Sequence, residues 1–95
     1  MTKYREQNGK TFIFKVTSTT SGRIWGGQGN VYTDDSTIST AAVHAGLIRT
    51  SETTIVKLTI MAGRSSYPTI TRNGITSRSY GSYYGSYIIS LVKRL

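Results

Sequence analysis

Val31-Tyr32-Thr33-Asp34-Asp35-Ser36-Thr37-Ile38-Ser39-Thr40-Ala41-Ala42-Val43-His44-Ala45-Gly46 is the one stretch of this 95-residue chain that reads as a helix. Ile38, Ala41, Ala42 and Ala45 recur at the spacing of one apolar helical face. Asp34 or Asp35 is expected to cap the first turn, where free N–H groups and the helix dipole favour an acceptor with negative charge. His44 falls in the last turn, and Gly46 stands where a left-handed residue ends a helix. The pattern predicts a helix from about Ser36 to Ala45. About ten residues make a marginal helix alone, so its small apolar face must be covered by other elements.

The rest of the chain is patterned for strands. In Thr11 to Thr17, Phe12, Phe14 and Val16 share one face, with Ile13, Lys15 and Thr17 on the other. Arg23-Ile24-Trp25 reads as a short strand ended by Gly26, Gly27 and Gly29. Thr54 to Met61 alternates, with Val56, Leu58 and Ile60 inward and Lys57 and Thr59 outward. Asn73-Gly74 signals a hairpin turn. Pro68 suits an edge or a loop. The last strand is predicted from about Tyr84 to Val92, with Ile89 and Leu91 on one face and Ile88 and Val92 on the other. Tyr80-Gly81-Ser82-Tyr83 repeats at once as Tyr84-Gly85-Ser86-Tyr87. Because an apolar strand follows without a break, this reads as a loop feeding a strand rather than a disordered tract. The expected fold class is α+β: a single small domain over residues 1–95, with one central helix wrapped by short antiparallel strands and residues 1–9 loose.

Ninety-five residues allow one domain with a modest core. With no cysteine there is no disulfide framework and no thiolate metal site. The polar start, Met1 to Asn8, has no apolar segment of a signal peptide. No run approaches the roughly 20 apolar residues of a spanning helix. The net charge is +8 with His44 neutral. All four acids, Glu6, Asp34, Asp35 and Glu52, precede Thr53, whereas Lys57, Arg64, Arg72, Arg78, Lys93 and Arg94 follow it. Such an excess attracts polyanions: nucleic acid, anionic headgroups or acidic glycans.

The helical stretch resembles the signature of the LCCL domain family, the cochlin-type module. The resemblance rests on Tyr32-Thr33-Asp34-Asp35-Ser36, then Ile38, Ala41-Ala42, Val43 and His44-Ala45-Gly46. It continues in Gly63-Arg64-Ser65-Ser66-Tyr67 and Arg72-Asn73-Gly74-Ile75-Thr76-Ser77, with Trp25 to Gly29 ahead of the tyrosine, so that residues 25 to about 90 are covered in order. Ser39 stands where animal members carry a cysteine, so their disulfides do not transfer; the chain is more similar to cysteine-free bacterial relatives. The resemblance implies a helix wrapped by strands. It also implies a binding role toward lipopolysaccharide or glycan ligands and an extracellular or cell-surface setting.

Catalysis finds no support. One histidine and no cysteine exclude a Cys–His pair, and no phosphate loop is present. Asp34 and Asp35 are accounted for by capping, His44 by packing against a backbone carbonyl, and Tyr32 by the core. No catalytic residue, metal ligand or cofactor is expected. Binding is better supported, because aromatic rings and cations interleave in the acid-free half. The candidate ligand-binding residues are Arg64, Tyr67, Arg72, Arg78, Tyr80, Tyr83, Tyr84 and Tyr87. Rings offer flat faces to sugars or bases, and arginines pair with phosphate or carboxylate. The leading reading is a non-enzymatic binding module for an anionic or carbohydrate-bearing surface, with lipopolysaccharide or a glycolipid as partner. The alternatives are a small basic nucleic-acid-binding protein and an assembly module that pairs, or self-associates, through exposed β edges. A membrane-active antibacterial protein is a lesser reading.

Overall fold

The structure, a computed structural model, describes residues 1–49 and 52–95. Strands β1 (Thr11–Thr17), β2 (Val31–Thr33), β3 (Thr53–Ala62) and β6 (Gly85–Arg94) form one antiparallel sheet in the order β1-β3-β6-β2. Helix α1 (Ile38–His44) follows β2. Strands β4 (Thr71–Arg72) and β5 (Ile75–Thr76) form a separate hairpin. The class is α+β with a single α-helix among the described residues, as the patterning predicted.

Alternation sets the register. Phe12 pairs with Leu58, Phe14 with Val56 and Leu58 with Ile89, which puts these side chains on one face. Val56, Leu58, Tyr87 and Ile89 join Tyr32, Ala41, Ala42 and Val43 in the core, so α1 lies on that face. Ala41 and Ala42 are fully buried, and their small side chains let the helix approach the strands closely. Val92 is an extra residue in β6, because Ile55 pairs with Lys93 while Val56 pairs with Leu91.

The helix ends as the sequence predicts and begins otherwise. Gly46, at φ 80°, donates from its N–H to Val43 O, and Leu47 N–H reaches Ala42 O, the paired bonds of a Schellman stop. At the start Thr37 is the N-cap, and no side chain caps it. Neither Asp34 nor Asp35 serves as the cap; that expectation is corrected. The helix begins later than predicted because residues 33–36 form a turn of their own, closed by Ser36 N–H to Thr33 O at 2.9 Å. Val31 to Thr33 is a strand paired with β6, not a prelude to the helix. Arg23 to Trp25 is not a strand either, since Trp25 and Gly26 make only isolated bridges to Arg78 and Tyr32. The glycines there at positive φ prevent a longer ladder. Asn73 and Gly74, both at positive φ, make the type I′ turn joining β4 to β5.

The first residues are tied down where looseness was expected. Thr2–Tyr4 is a 3₁₀ turn, and the Tyr4 ring lies 4.2 Å from that of Phe12. Arg5 makes two bonds of 2.8 Å to the Asp34 carboxylate. Asp34 also donates its N–H to Gly85 O. A Cβ at Gly85 would collide with that carboxylate, whereas one at Gly81 would meet open space. The two glycines of the Tyr-Gly-Ser-Tyr repeat are therefore not equivalent. Replacing Gly85 by Ala should cost about 1–3 kcal/mol through overpacking, and Gly81→Ala should stay within about 0.5 kcal/mol of the parent. Urea unfolding of the two variants tests this; equal midpoints would contradict the packing.

Candidate functional site

The eight residues singled out from the sequence divide into a buried set and a surface set. Tyr87 is fully buried, and its hydroxyl donates to Ser36 O at 3.0 Å. Burial pushes its phenol pKa well up. Tyr67 is 1% exposed; its hydroxyl accepts from Arg64 N–H, and its backbone pairs with Tyr80. Neither ring is open to a ligand, which corrects their assignment as ligand contacts. The reason is periodic: Tyr87 has entered β6 on its inward side, and Tyr67 anchors the base of the tyrosine loop.

Arg72 is also turned inward. Its Nη2 donates to Gly27 O at 2.8 Å and to the Tyr32 hydroxyl at 3.2 Å, and lies 3.3 Å from His44 Nδ1. Its Nε is buried with no partner. The hairpin folds β4 back over the end of α1, so one arm of this half-buried guanidinium meets a carbonyl, a phenol and an imidazole. Arg72 therefore holds the hairpin to the helix. His44 is fully buried and contacts Ile70 O through Nε2 at 2.8 Å, the backbone contact expected for it. With Nε2 donating, Nδ1 is the acceptor for the Tyr32 hydroxyl, 2.7 Å away. Burial lowers the His44 pKa below its ordinary value; the bond to Ile70 opposes this, and the Arg72 charge adds to it. Burial likewise pushes Tyr32 up to about 12, against the pull of Arg72.

The surface set gathers at one place. Tyr80 and Tyr83 meet edge to face at 5.5 Å between centroids, and Tyr83 and Tyr84 lie 5.6 Å apart. Tyr84 is 78% exposed and Tyr80 50%. Arg5 stacks over the rings of Tyr83 and Tyr84 at 5.2 and 5.4 Å. Beside the tyrosines a cleft of about 100 Å³ is lined by Trp25, Thr33, Asp35, Tyr80 and Tyr83. Asp35 accepts from the Thr33 hydroxyl at 2.6 Å. Burial, and then the Asp35 charge, raises the Tyr83 pKa. Arg78 is exposed, and its backbone bridges to Trp25 at this cleft. Arg64 stands further back, its guanidinium on Gln28 O at 3.3 Å and its carbonyl accepting from Tyr83 N–H.

A model of the LCCL domain matches residues 1–87. The chain belongs to the LCCL domain family. The match reaches back through the N-terminal turn and Arg5, ahead of the motifs legible from Trp25 onward. LCCL domains are binding modules, and a binding role for this one agrees with that. Among curated proteins, none matches the chain in sequence. No helix among the described residues of this LCCL domain is long and apolar enough to cross a membrane. No group of three or more metal-ligating side chains occurs among them.

Sequence reasoning missed Arg5, Trp25, Thr33 and Asp35 as neighbours of the tyrosines. The patterning places Thr33 and Asp35 at a helix start and Trp25 at the end of a short strand. The long-range pairing of Trp25 with Arg78, which brings them to the tyrosine loop, leaves no local signal.

The His44 network carries a pH dependence of known sign. The folded state keeps the imidazole neutral, while the unfolded chain takes up a proton near the ordinary value of about 6.5. The unfolded state therefore binds more protons at mildly acidic pH, and stability falls as pH drops below about 6.5. Urea midpoints measured from about pH 8 to pH 5 should be flat at first and then decline. His44→Gln should be less stable throughout and lose that decline; a parent curve that is flat or rises on acidification would contradict the assignment.

Proposed function

We propose that this LCCL domain binds a carbohydrate on an anionic surface, of the lipopolysaccharide or glycolipid kind, through the cleft of Trp25, Tyr80 and Tyr83 and the exposed ring of Tyr84. The observation that carries the reading is the pairing of open aromatic rings with Asp35 and Thr33 in one cleft. Rings cover the C–H faces of a sugar, and their hydroxyls bond at its rim. A carboxylate accepts from sugar hydroxyls with charge assistance. The same carboxylate repels a phosphate brought into the cleft, which argues against a nucleotide backbone there. Arg78 at the rim and the overall charge of +8 draw the domain to an acidic glycan without requiring the charge to enter the cleft.

Arg5 gives the cleft its stiffness. Its guanidinium is fixed by Asp34 and in turn supports Tyr83 and Tyr84. A ring held in advance loses little freedom on binding. Arg64 contributes through its backbone contact with Tyr83, at a distance from the ligand.

Calorimetric titration of lipopolysaccharide and of its released oligosaccharide tests the proposal. The parent should bind the neutral core sugars with little dependence on salt. Tyr80→Ala with Tyr84→Ala should weaken binding by about tenfold or more, with the melting temperature little changed. Arg78→Gln should matter only for acidic sugars at low salt. Tight binding of single-stranded DNA with a steep salt slope, and none of sugar, would replace this reading with the nucleic-acid alternative.

A further inference from the structure

The sheet has a second face, buried at β2, where Val31 and Thr33 pair with Ile88 and Ser86, but open over β1, β3 and the end of β6. α1 packs against the side bearing Val56, Leu58, Tyr87 and Ile89. On the other side two cross-strand rows lie next to each other. One is Lys15–Ile55–Lys93, and the next is Ile13–Lys57–Ser90. Lys15, Lys57 and Lys93 are exposed, Ile13 is 58% exposed, and Val92 in the adjoining bulge is 51% exposed. Neither row holds an acid. Among the described residues the one salt bridge is Arg5–Asp34, so none of these lysines has a carboxylate partner. Three like charges on neighbouring strands repel one another and are not there to stabilise the sheet.

We infer that this face docks on an anionic phospholipid bilayer, with Lys15, Lys57 and Lys93 on headgroup phosphates and Ile13 and Val92 at the acyl boundary. A bilayer is flat on the scale of the sheet and carries its negative charge over apolar chains. That order complements a surface in which lysine ammonium groups stand on flexible stems beside aliphatic side chains. Nucleic acid fits less well: this face offers no ring for stacking and no arginine fork for phosphate. The surface is separate from the tyrosine cleft, so a bilayer contact and a glycan contact are independent properties of one domain.

Co-sedimentation with phosphatidylglycerol vesicles and with phosphatidylcholine vesicles tests the inference on the full chain. The parent should bind the anionic vesicles only, and binding should weaken as salt rises. Each lysine near an anionic surface is worth roughly fivefold in partitioning, so Lys15→Gln, Lys57→Gln and Lys93→Gln together should lower it on the order of 100-fold. Ile13→Ser alone should lower it severalfold, which net charge cannot explain. A charge-matched control, Lys3→Gln, Arg23→Gln and Arg49→Gln, lies off this face and should retain binding within about threefold of the parent. Equal losses in the two triple variants would overturn the assignment of the face. So would equal binding to both vesicle types, no binding by the parent, or binding to single-stranded DNA through these lysines in preference to vesicles.

Discussion

The structure depends on one buried negative charge. Asp34 is 1% exposed, at the turn that takes the chain from the sheet into its only described α-helix. A carboxylate taken out of water is costly unless it is paired and hydrogen-bonded. Arg5 meets both oxygens with a two-pronged contact, the geometry in which guanidinium and carboxylate interact best. That need organises four separate parts of the chain. The N-terminal turn must come back to the sheet to deliver Arg5. The 33–36 turn must hold Asp34 inward. β6 must begin with a residue that has no side chain, because the carboxylate occupies the space beside Gly85. The tyrosine loop then closes over the guanidinium, stacking Tyr83 and Tyr84 on it.

A second polar cluster, Tyr32, His44 and Arg72, does for the opposite end of the helix what Asp34 and Arg5 do at its start. It fastens the β4–β5 hairpin across the last turn of α1. Ala41, Ala42 and Val43 provide the apolar contact between the two, but that contact has little shape of its own. Small side chains pack in many ways, so the polar contacts at both ends supply the register of helix on sheet. The proposed binding surface is a by-product of this arrangement. Rings that brace Arg5 from outside are rings that water, or a sugar, can reach.

Much of the fold was legible because it rests on local patterns. The alternation in Thr11 to Thr17 and in Thr54 to Met61 gave both strands to within a residue. Asn73-Gly74 gave a hairpin, and Gly46 gave the helix stop. The helix start was misplaced because two acids before an apolar periodic run satisfy the capping rule, yet the same acids can serve a distant arginine. Nothing near Asp34 marks Arg5 as its partner. The candidate site was legible in part. Tyr80, Tyr83, Tyr84 and Arg78 do reach one surface, but Tyr67 and Tyr87 are buried and Arg72 is engaged at the end of the helix. A tyrosine in an acid-free basic segment looks the same in sequence whether it faces the core or solvent. The repeat shows the point: Tyr83 and Tyr87 end identical tetrapeptides, one half-exposed in a loop and one fully buried in a strand.

A double-mutant cycle on Arg5 and Asp34 measures most directly whether the buried charge and its partner act as one unit. Arg5→Met, Asp34→Asn and the combined variant would be compared with the parent by equilibrium unfolding. Removing Arg5 leaves the buried Asp34 carboxylate without its partner, and neutralising Asp34 leaves the half-buried Arg5 without its counter-charge, so the combined variant should be less destabilised than the sum of the two by about 1–3 kcal/mol. Single effects that add to within about 0.5 kcal/mol would mean that the two residues act independently and that the fold rests on something else.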